Sequence, residues 1–343
     1  HLKTASPTCS RRARHIFLTL AASLGYEVLR GDVRTAFLQG DEGEEDRGVL
    51  AEPVAELKAA LKLEHHQCVK LLKAVYGLVN APRRWWTRVR TDLQKLGWTE
   101  VTTEPCFWLK RNATGQIVAM AVCHVDDFMV AASQCKDGQE ALKGLQDAYE
   151  WGLWESRTFV QTGVRHRQHY DKQTNSWGSI EIDMEEYIET ELEYIHVPQS
   201  RRKDLKSPLT SAEASSVRQV LGQCSWIVQN LLLTAQSWTS LLLGHQNNGT
   251  VQTLLDVNKL VRYCKTNKSQ RLTLHKHELP CVVGWSDGAW KARRDGSSQI
   301  GYFAGITDAK LLQGEEAPVS PISWLSCKAP RIAISSSACE VQG

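Results

Sequence analysis

Three aspartates in two short motifs could do chemistry together. Asp32 lies at the end of a predicted strand, and Asp126 and Asp127 are adjacent, with apolar residues at 120–123 and 128–132 on either side. Like charges at close range repel each other unless a cation neutralises them. Mg²⁺ prefers such hard oxygen ligands and usually takes one or two carboxylates together with phosphate oxygens. The motifs therefore predict a divalent metal site, provided that the chain folds position 32 against positions 126 and 127.

Two ions held in this way would favour an in-line displacement at phosphorus, in which one ion activates a hydroxyl and the other stabilises the leaving oxygen. An alternative needs no chemistry at all. Aspartate is common in turns, so Asp126 and Asp127 could form an ordinary polar turn between two strands.

Hydrophobic periodicity predicts the elements that must position these aspartates. Residues 12–24 have the spacing of an amphipathic helix that ends at Gly25, and residues 26–33 read as a strand. Residues 106–132 predict a β-meander, with turns at 112–115 and at Asp126 and Asp127.

Further elements follow from the same patterns. A helix beginning at residues 80–82 should bury Trp85, Val89, Leu93 and Leu96 and end at Gly97. Other predicted segments are a strand at 68–75, a solvated acidic loop at 41–47, a strand at 158–170, a helix-rich region at 211–265 and short strands beyond 279.

Composition limits the possibilities without deciding among them. With 343 residues, 42% of them apolar, the chain can bury a core and should form two or three domains. The net charge is only +3, so any surface for nucleic acid must come from local clusters of basic residues. The ten cysteines lack zinc-ligand spacing and are interpreted as reduced intracellular thiols. The longest apolar stretch, residues 231–243, is too short to cross a bilayer, and no membrane contact is expected.

One basic cluster is interleaved with aromatic residues on the helix predicted after residue 82. Its members are Arg83, Arg84, Trp85, Trp86, Arg88 and Arg90. Such a surface could hold template phosphates and stack on bases. Alternatively, Trp85 faces the core and the arginines only make an exposed face soluble.

Three ordered segments resemble successive reverse transcriptase motifs of copia-type retrotransposons. They are DVRTAFLQG at 32–40, VKLLKAVYGLVNAPRRW at 69–85 and HVDD at 124–127, and FVQTGV at 159–164 resembles the segment that follows. Later segments look like the start of that family's ribonuclease H: GWSD at 284–287, GY at 301–302, ISW at 322–324 and SSSACE at 335–340. The resemblance implies an α+β fold, a right-hand polymerase palm with a helical thumb or connection, followed by a partial ribonuclease H-like α/β domain. The expected limits are 1–200 for the palm, 201–276 for the thumb or connection and 277–343 for the truncated ribonuclease H-like domain.

The resemblance also assigns roles to residues. Asp32, Asp126 and Asp127 match the catalytic carboxylates that bind two Mg²⁺ ions, with Mn²⁺ as an alternative. Asp32 and Asp126 would be the principal ligands, helped by the carbonyl of Val33. Arg83, Arg84 and Arg88 would contact nucleic acid.

Two further positions would lie near the incoming nucleotide. Phe37 matches the side chain that screens the sugar 2′-position and favours deoxynucleotides, although a buried core phenylalanine fits the local sequence equally well. Asn80 stands where the family usually has Gln, and His124 replaces the usual Tyr.

At the other end of the chain, Asp287 and Glu340 match the first two ribonuclease H carboxylates, although Asp287 could also be a simple turn residue before Gly288. Ribonuclease H uses further acidic residues later in its sequence. A chain that ends at residue 343 is therefore expected not to cleave by itself. Because the family's basic fingers segment would precede residue 1, weak or absent polymerase activity is expected of this fragment.

The function predicted from these motifs is that of an RNA-directed DNA polymerase. Its partners would be an RNA template, a DNA primer, the RNA–DNA hybrid, deoxynucleoside triphosphates and the other polyprotein parts, Gag, protease and integrase. The expected location is intracellular, in cytoplasmic virus-like particles and also in the nucleus. One alternative is an inactive relic that at most binds nucleic acid. Another is an unrelated Mg²⁺-dependent phosphoesterase that uses the same aspartates.

Overall fold

The computed structural model describes residues 5–40, 49–245 and 248–342, so the predicted acidic loop at 41–47 lies outside the described residues. The chain divides into two compact units. The N-terminal unit comprises His1–Phe17 and Glu27–Ser156, and the C-terminal unit comprises Leu18–Tyr26 and Arg157–Gly343.

Most elements of the first 156 residues belong to one antiparallel sheet and the helices around it. In chain order the elements are α1 (Arg11–Leu24), β1 (Glu27–Val33), a 3-10 turn (Ala36–Gln39), β2 (Leu50–Ala51), α2 (Ala55–Leu61), β3 (Val69–Lys70), α3 (Ala81–Lys95), β4 (Thr99–Val101), β5 (Glu104–Arg111), β6 (Ile117–His124), β7 (Asp127–Ala132), α4 (Lys136–Gln146) and β8 (Trp151–Ser156). The sheet order is β4-β5-β6-β7-β1-β8, so β1 lies between β7 and β8. Strands β6 and β7 are buried along most of their length, which explains their nearly continuous apolar sequences.

The amphipathic pattern of α3 is confirmed. Trp85, Val89 and Leu93 are buried in one core cluster with the inner strands of the sheet, and Leu96 packs against that cluster from its edge. Gly97, which follows the helix, has a φ of 75°, a conformation that glycine adopts without a Cβ clash. The predicted helix at 12–24, the strand at 26–33 and the meander at 106–132 are confirmed as well.

Two predicted strands were wrong in extent. The strand predicted at 68–75 is restricted to β3, because its partner β2 offers only Leu50 and Ala51 for pairing. The strand predicted at 158–170 is a hairpin, since Thr162 and Gly163 both have positive φ values, 51° and 77°, and turn the chain back on itself.

The C-terminal unit contains two further antiparallel sheets and a group of helices. Its elements are β9 (Thr158–Gln161), β10 (Val164–Asp171), β11 (Ser176–Asp183), α5 (Glu185–Thr190), α6 (Gln199–Arg202), α7 (Ser211–Asn230), α8 (Gln236–Leu243), α9 (Val251–Thr266), β12 (Leu272–Leu274), β13 (Pro280–Ala289), β14 (Gln299–Asp308), β15 (Ser320–Lys328) and α10 (Ser336–Glu340). One sheet has the order β12-β11-β10-β9 and the other β13-β14-β15.

The molecule therefore has the mixed helix and sheet content expected of an α+β protein. The predicted domain limits at residues 200 and 276 stay predictions, and the compact units divide between residues 156 and 157. In the described ranges, every helix is too short or too polar to cross a membrane.

The start of α7 is held by a network of three side chains. The Thr210 hydroxyl accepts a hydrogen bond from the Glu213 N–H at 3.2 Å, and the Glu213 carboxylate accepts one from the Thr210 N–H at 2.8 Å. Arg201 donates to both oxygens of Glu213, at 2.9 and 2.8 Å. These bonds, that of Arg201 first, lower the pKa of Glu213 from 4.5 to about 2.

We predict that Glu213→Gln lowers the free energy of unfolding by about 1 kcal/mol at pH 7, because it removes the capping carboxylate. The folded protein keeps Glu213 charged down to about pH 2, whereas an unperturbed glutamate protonates near pH 4.5. The stabilisation should thus be complete above pH 4.5 and disappear between there and pH 2. Urea unfolding of both proteins at pH 7 and pH 3 measures this, with the exposed Glu193→Gln as control. An equal deficit at both pH values would contradict the role of the charge.

Candidate active site

Antiparallel pairing of β1 with β7 places Asp32 directly opposite Asp127. The turn before β7 is held against β1 as well, because the Val33 N–H donates a hydrogen bond to the Asp126 carbonyl at 2.9 Å. All three side chains are partly exposed. The structure thus brings together the three aspartates that the sequence singled out, although 94 residues separate Asp32 from Asp126.

The connection between β6 and β7 differs from the prediction in one respect. The turn consists of Val125 and Asp126, whereas Asp127 is the first residue of β7 and pairs with His124. The prediction that both aspartates lie at the tip was therefore wrong. The apolar residues of β7, from position 128 onward, fix the register of this strand with β6. In this register Asp127 still pairs across the ladder and therefore belongs to the strand.

The turn has a strained backbone. Val125 has a φ of 63°, a conformation that is rare for a β-branched residue. The buried Trp85 of α3 donates an indole hydrogen bond to the Val125 carbonyl at 2.8 Å. Such strain persists where the surroundings over-determine the conformation, and it is often found at functional sites.

Negative charge accumulates around Asp32 and Asp126. Partial burial raises the pKa of Asp32, and the charges of Asp126 and Asp127 raise it further. Burial likewise raises the pKa of Asp126, with Asp127 adding to the effect. A site where carboxylates resist ionisation in the absence of a cation fits the chemistry of a divalent metal ion.

Asp127 differs from the other two aspartates because it binds an arginine. Arg30, two positions before Asp32 on β1, donates to Asp127 at 2.9 and 3.1 Å and to Glu155 at 2.7 Å. The bond to Asp127 is the main cause that raises the pKa of Arg30 above its ordinary value. Sequence reasoning missed Arg30, because its role depends on the register of β1 with both of its neighbours.

The fit to a metal ion is therefore carried by two carboxylates. Among the residues that the structure describes, no group of three or more His, Cys, Asp or Glu side chains is arranged to hold a metal. Asp32 and Asp126 lie together without an ion-pair partner in that part of the chain, and two carboxylates are what Mg²⁺ commonly takes from a protein. The full triad of metal ligands stays a prediction.

An aromatic pair lies beside the aspartates. Phe37, in the 3-10 turn after β1, is buried, and its ring centroid lies 4.6 Å from that of Tyr76. Tyr76 is 59% exposed. Burial raises the pKa of Tyr76, and the negative charges of Asp126 and Asp32 raise it further. Tyr76 was not singled out from the sequence, although it lies within the motif at 69–85. Asn80 is buried just before α3.

The basic residues of α3 are not equivalent. Arg83 and Arg90 lie over the ring of Trp86, with 4.4 and 5.4 Å between each guanidinium carbon and the ring centroid. Both line a cavity of about 600 Å³. Arg88 forms an ion pair with Asp92 one turn further along, Arg90 forms one with Glu100 at 2.8 Å, and Arg84 is half-buried. Three arginines were predicted to contact nucleic acid, and of these Arg83 lines the cavity whereas Arg84 and Arg88 do not. Arg90 lines the same cavity.

Comparison with known proteins finds a family that the N-terminal part resembles. Residues 1–153 match the family model described as "Reverse transcriptase (RNA-dependent DNA polymerase)". This part of the chain is therefore similar to reverse transcriptases. Over 125 residues the chain is 33% identical to the Retrovirus-related Pol polyprotein from transposon TNT 1-94 of Nicotiana tabacum, a match that covers 36% of this chain and 9% of that polyprotein.

Two polyproteins from Arabidopsis thaliana, from transposons RE1 and RE2, are 28% identical over 133 residues, which is 39% of this chain and 9% of each relative. The resemblance to copia-type Pol polyproteins that the motifs predicted is confirmed. The matched part spans less than a tenth of the length of these relatives.

A second carboxylate pair lies in the C-terminal unit, beyond the residues that match the family model. The Gly288 N–H donates to Asp287 at 2.9 Å and to Glu340 at 3.1 Å, so β13 and α10 bring these two side chains to one backbone group. The structure thus places Asp287 beside Glu340, as their common assignment requires.

We predict that Trp85→Phe lowers the free energy of unfolding by at least about 1 kcal/mol more than Trp86→Phe does. Both changes replace an indole by a smaller ring, but Trp85→Phe leaves the carbonyl of the strained Val125 without its donor. The Trp86 indole makes a longer bond, 3.4 Å to the Pro105 carbonyl, and is the matched control. Urea unfolding measures both variants, and equal losses would show that the bond to the turn is unimportant.

Proposed function

We propose that this chain is the reverse transcriptase part of a retrotransposon Pol polyprotein and that it adds deoxynucleotides to a primer 3′-hydroxyl on an RNA template. The single observation that carries the proposal is the pairing of β1 with β7, which sets Asp32 beside the Asp126 turn. The family match of residues 1–153 supports it independently.

In this proposal Asp32 and Asp126 hold Mg²⁺, or Mn²⁺ in its place, with the Val33 carbonyl as a further oxygen and two ions as the family resemblance implies. The bound metal would activate the primer hydroxyl and neutralise charge on the phosphates. Trp85 fixes the turn that carries Asp126, and Arg30 holds Asp127. The protein's contribution is thus the fixed position of two carboxylates that repel each other until the cation binds.

The aromatic pair would form one wall of the nucleotide site. Phe37 contacts the exposed ring of Tyr76, whose pKa is raised in part by the charges of Asp126 and Asp32. A sugar bound at the metal would therefore meet this wall, which would exclude a 2′-hydroxyl. Asn80, at the start of α3, would help to orient the nucleotide from within the protein.

Arg83 and Arg90 would give the segment its contact with nucleic acid. Guanidinium groups bind phosphates through several N–H donors, and their stacking on Trp86 orders them beforehand. Arg84 would add positive charge, whereas the charges of Arg88 and Arg90 are partly neutralised by Asp92 and Glu100. Binding of primer and template should weaken as salt is added.

The remaining assignments are part of the same proposal. Residues 1–200 would form the palm, 201–276 the thumb or connection and 277–343 a partial ribonuclease H-like domain in which Asp287 and Glu340 form the first carboxylate pair. Gag, protease and integrase would be the neighbouring polyprotein parts. Cytoplasmic particles and the nucleus would be its locations.

Primer extension on an RNA template tests the proposed activity. Because weak activity is expected of this fragment, extension is measured under single-turnover conditions. We predict slow but detectable extension with Mg²⁺ or Mn²⁺ and a rate at least about 100-fold lower for Asp126→Asn, because a metal ligand is lost. The exposed Asp137→Asn is the charge-matched control and should leave the rate unchanged. Extension that survives Asp126→Asn, or failure to extend or to bind the primer and template, would contradict the proposal.

Sugar selection tests the aromatic wall. We predict that Phe37→Val lowers the preference for deoxynucleotides over ribonucleotides by about tenfold or more, because the smaller side chain lets the Tyr76 ring move back. Tyr76→Phe keeps the ring and should leave the preference intact. Incorporation rates with each nucleotide type measure the ratio, and an unchanged ratio in Phe37→Val would remove Phe37 from this role.

A further inference from the structure

Asp127 differs from Asp32 and Asp126 because it forms an ion pair with Arg30. Nε of Arg30 lies 2.9 Å from Oδ1 of Asp127, and Nη2 lies 3.1 Å from Oδ2, so both carboxylate oxygens accept from one planar fork. Bidentate pairs of this kind are among the strongest side-chain hydrogen bonds, and they fix direction as well as distance. Each Asp127 oxygen thus has one of its lone pairs committed to Arg30.

The Arg30 guanidinium is also held by a residue of β8, the other neighbour of β1. Nη1 of Arg30 lies 2.7 Å from Oε2 of Glu155, which is the residue directly opposite Arg30 on β8. Asp127 lies on β7, diagonally across from Arg30, because Arg30 pairs with Met129 in that register. The Arg30 guanidinium on β1 is therefore clamped between carboxylates on the two neighbouring strands, β7 and β8.

The burial of the pair makes it hard to break. The side chain of Asp127 is 13% exposed and that of Arg30 is 22% exposed, whereas that of Glu155 is 40% exposed. Removing one partner of a pair that is largely out of water leaves an uncompensated charge, which costs more than the loss of a surface pair. A metal ion at Asp127 would have to compete with the Arg30 cation for that carboxylate.

Asp32 and Asp126 have no such partner. In the part of the chain that the structure describes, neither forms an ion pair, and the two are joined by the contact of the Val33 N–H with the Asp126 carbonyl. The absence of any three-member group of metal ligands among those residues agrees with this division. Two carboxylates are free for a cation, and the third is already neutralised.

We propose that in this chain Asp127 is a positioning residue and not a metal ligand, and that Arg30 neutralises it so that Asp32 and Asp126 alone hold the metal. This inference rests on the proposed function only for the identity of the site. The pair would reduce the repulsion between Asp127 and Asp32, which lie directly opposite each other on β7 and β1.

Binding of Mn²⁺ alone tests the inference, followed through the relaxation of water protons up to millimolar concentration. The decisive variant is the double substitution Arg30→Gln with Asp127→Asn, which removes the pair without changing the net charge. We expect its dissociation constant for Mn²⁺ to stay within about threefold of the unaltered protein, whereas Asp126→Asn and Asp32→Asn each weaken binding by about tenfold or more. Glu155→Gln removes one negative charge beside the site without removing a proposed ligand. Its change in Mn²⁺ affinity measures how much the loss of charge alone contributes.

The result that overturns the inference is a loss of Mn²⁺ affinity in the double variant as large as that of Asp126→Asn. Circular dichroism and urea unfolding of each variant identify losses that come from unfolding. Should the double variant unfold, Arg30→Lys replaces it: this variant keeps the charge but loses the fork, and unchanged Mn²⁺ affinity supports the inference whereas a tenfold loss overturns it. Because Mn²⁺ binding needs no primer or template, an inactive protein with this binding pattern would reject the proposed function and leave the inference standing.

Discussion

The register between β1 and β7 is the constraint on which the rest of the site depends. Side chains alternate between the two faces of a strand, so a slip of one residue would turn Asp32 to the opposite face. The buried apolar residues of β6 and β7 oppose such a slip, because it would disrupt close packing on both faces and move charged residues towards the buried part of the sheet. The position of the charged residues is thus determined by the apolar residues that precede and follow them.

Holding carboxylates together has two costs, and different parts of the N-terminal unit offset them. Like charges opposite each other destabilise a sheet, and the cation of Arg30 reduces that repulsion for Asp127. The left-handed backbone of Val125 is the second cost, and it is offset by the buried Trp85 that donates to the turn. Neither compensating residue is one of the aspartates: Arg30 precedes the motif at 32–40, and Trp85 is the last residue of the motif at 69–85. This is expected when a site breaks local rules and its surroundings stabilise it.

The sequence predicted what depends on periodicity and adjacency. The helix at 12–24, the buried face of α3 and the meander follow from apolar spacing, and the neighbouring positions of Asp126 and Asp127 are visible in the chain. The ion pair of Arg88 with Asp92 could also have been predicted, since residues four apart meet on a helix. The clamp on Arg30 could not, because Glu155 lies 125 residues further along and no local pattern fixes the pairing of β8.

Each of the two carboxylate pairs has a glycine next to one of its aspartates, Gly31 before Asp32 and Gly288 after Asp287. In each unit a side chain at the glycine would clash with a close neighbour. A Cβ on Gly31 would lie 2.9 Å from ring atoms of Trp154, and a Cβ on Gly288 would lie 2.7 Å from the Cys339 carbonyl oxygen. Because alternate residues of a strand face opposite ways, Gly31 lets an indole cover the back of β1 while Asp32 faces the other side. At Gly288 the same lack of a side chain lets α10 approach β13 and bring Glu340 to Asp287. In both places, close packing behind the backbone limits how far the carboxylate in front of it can move.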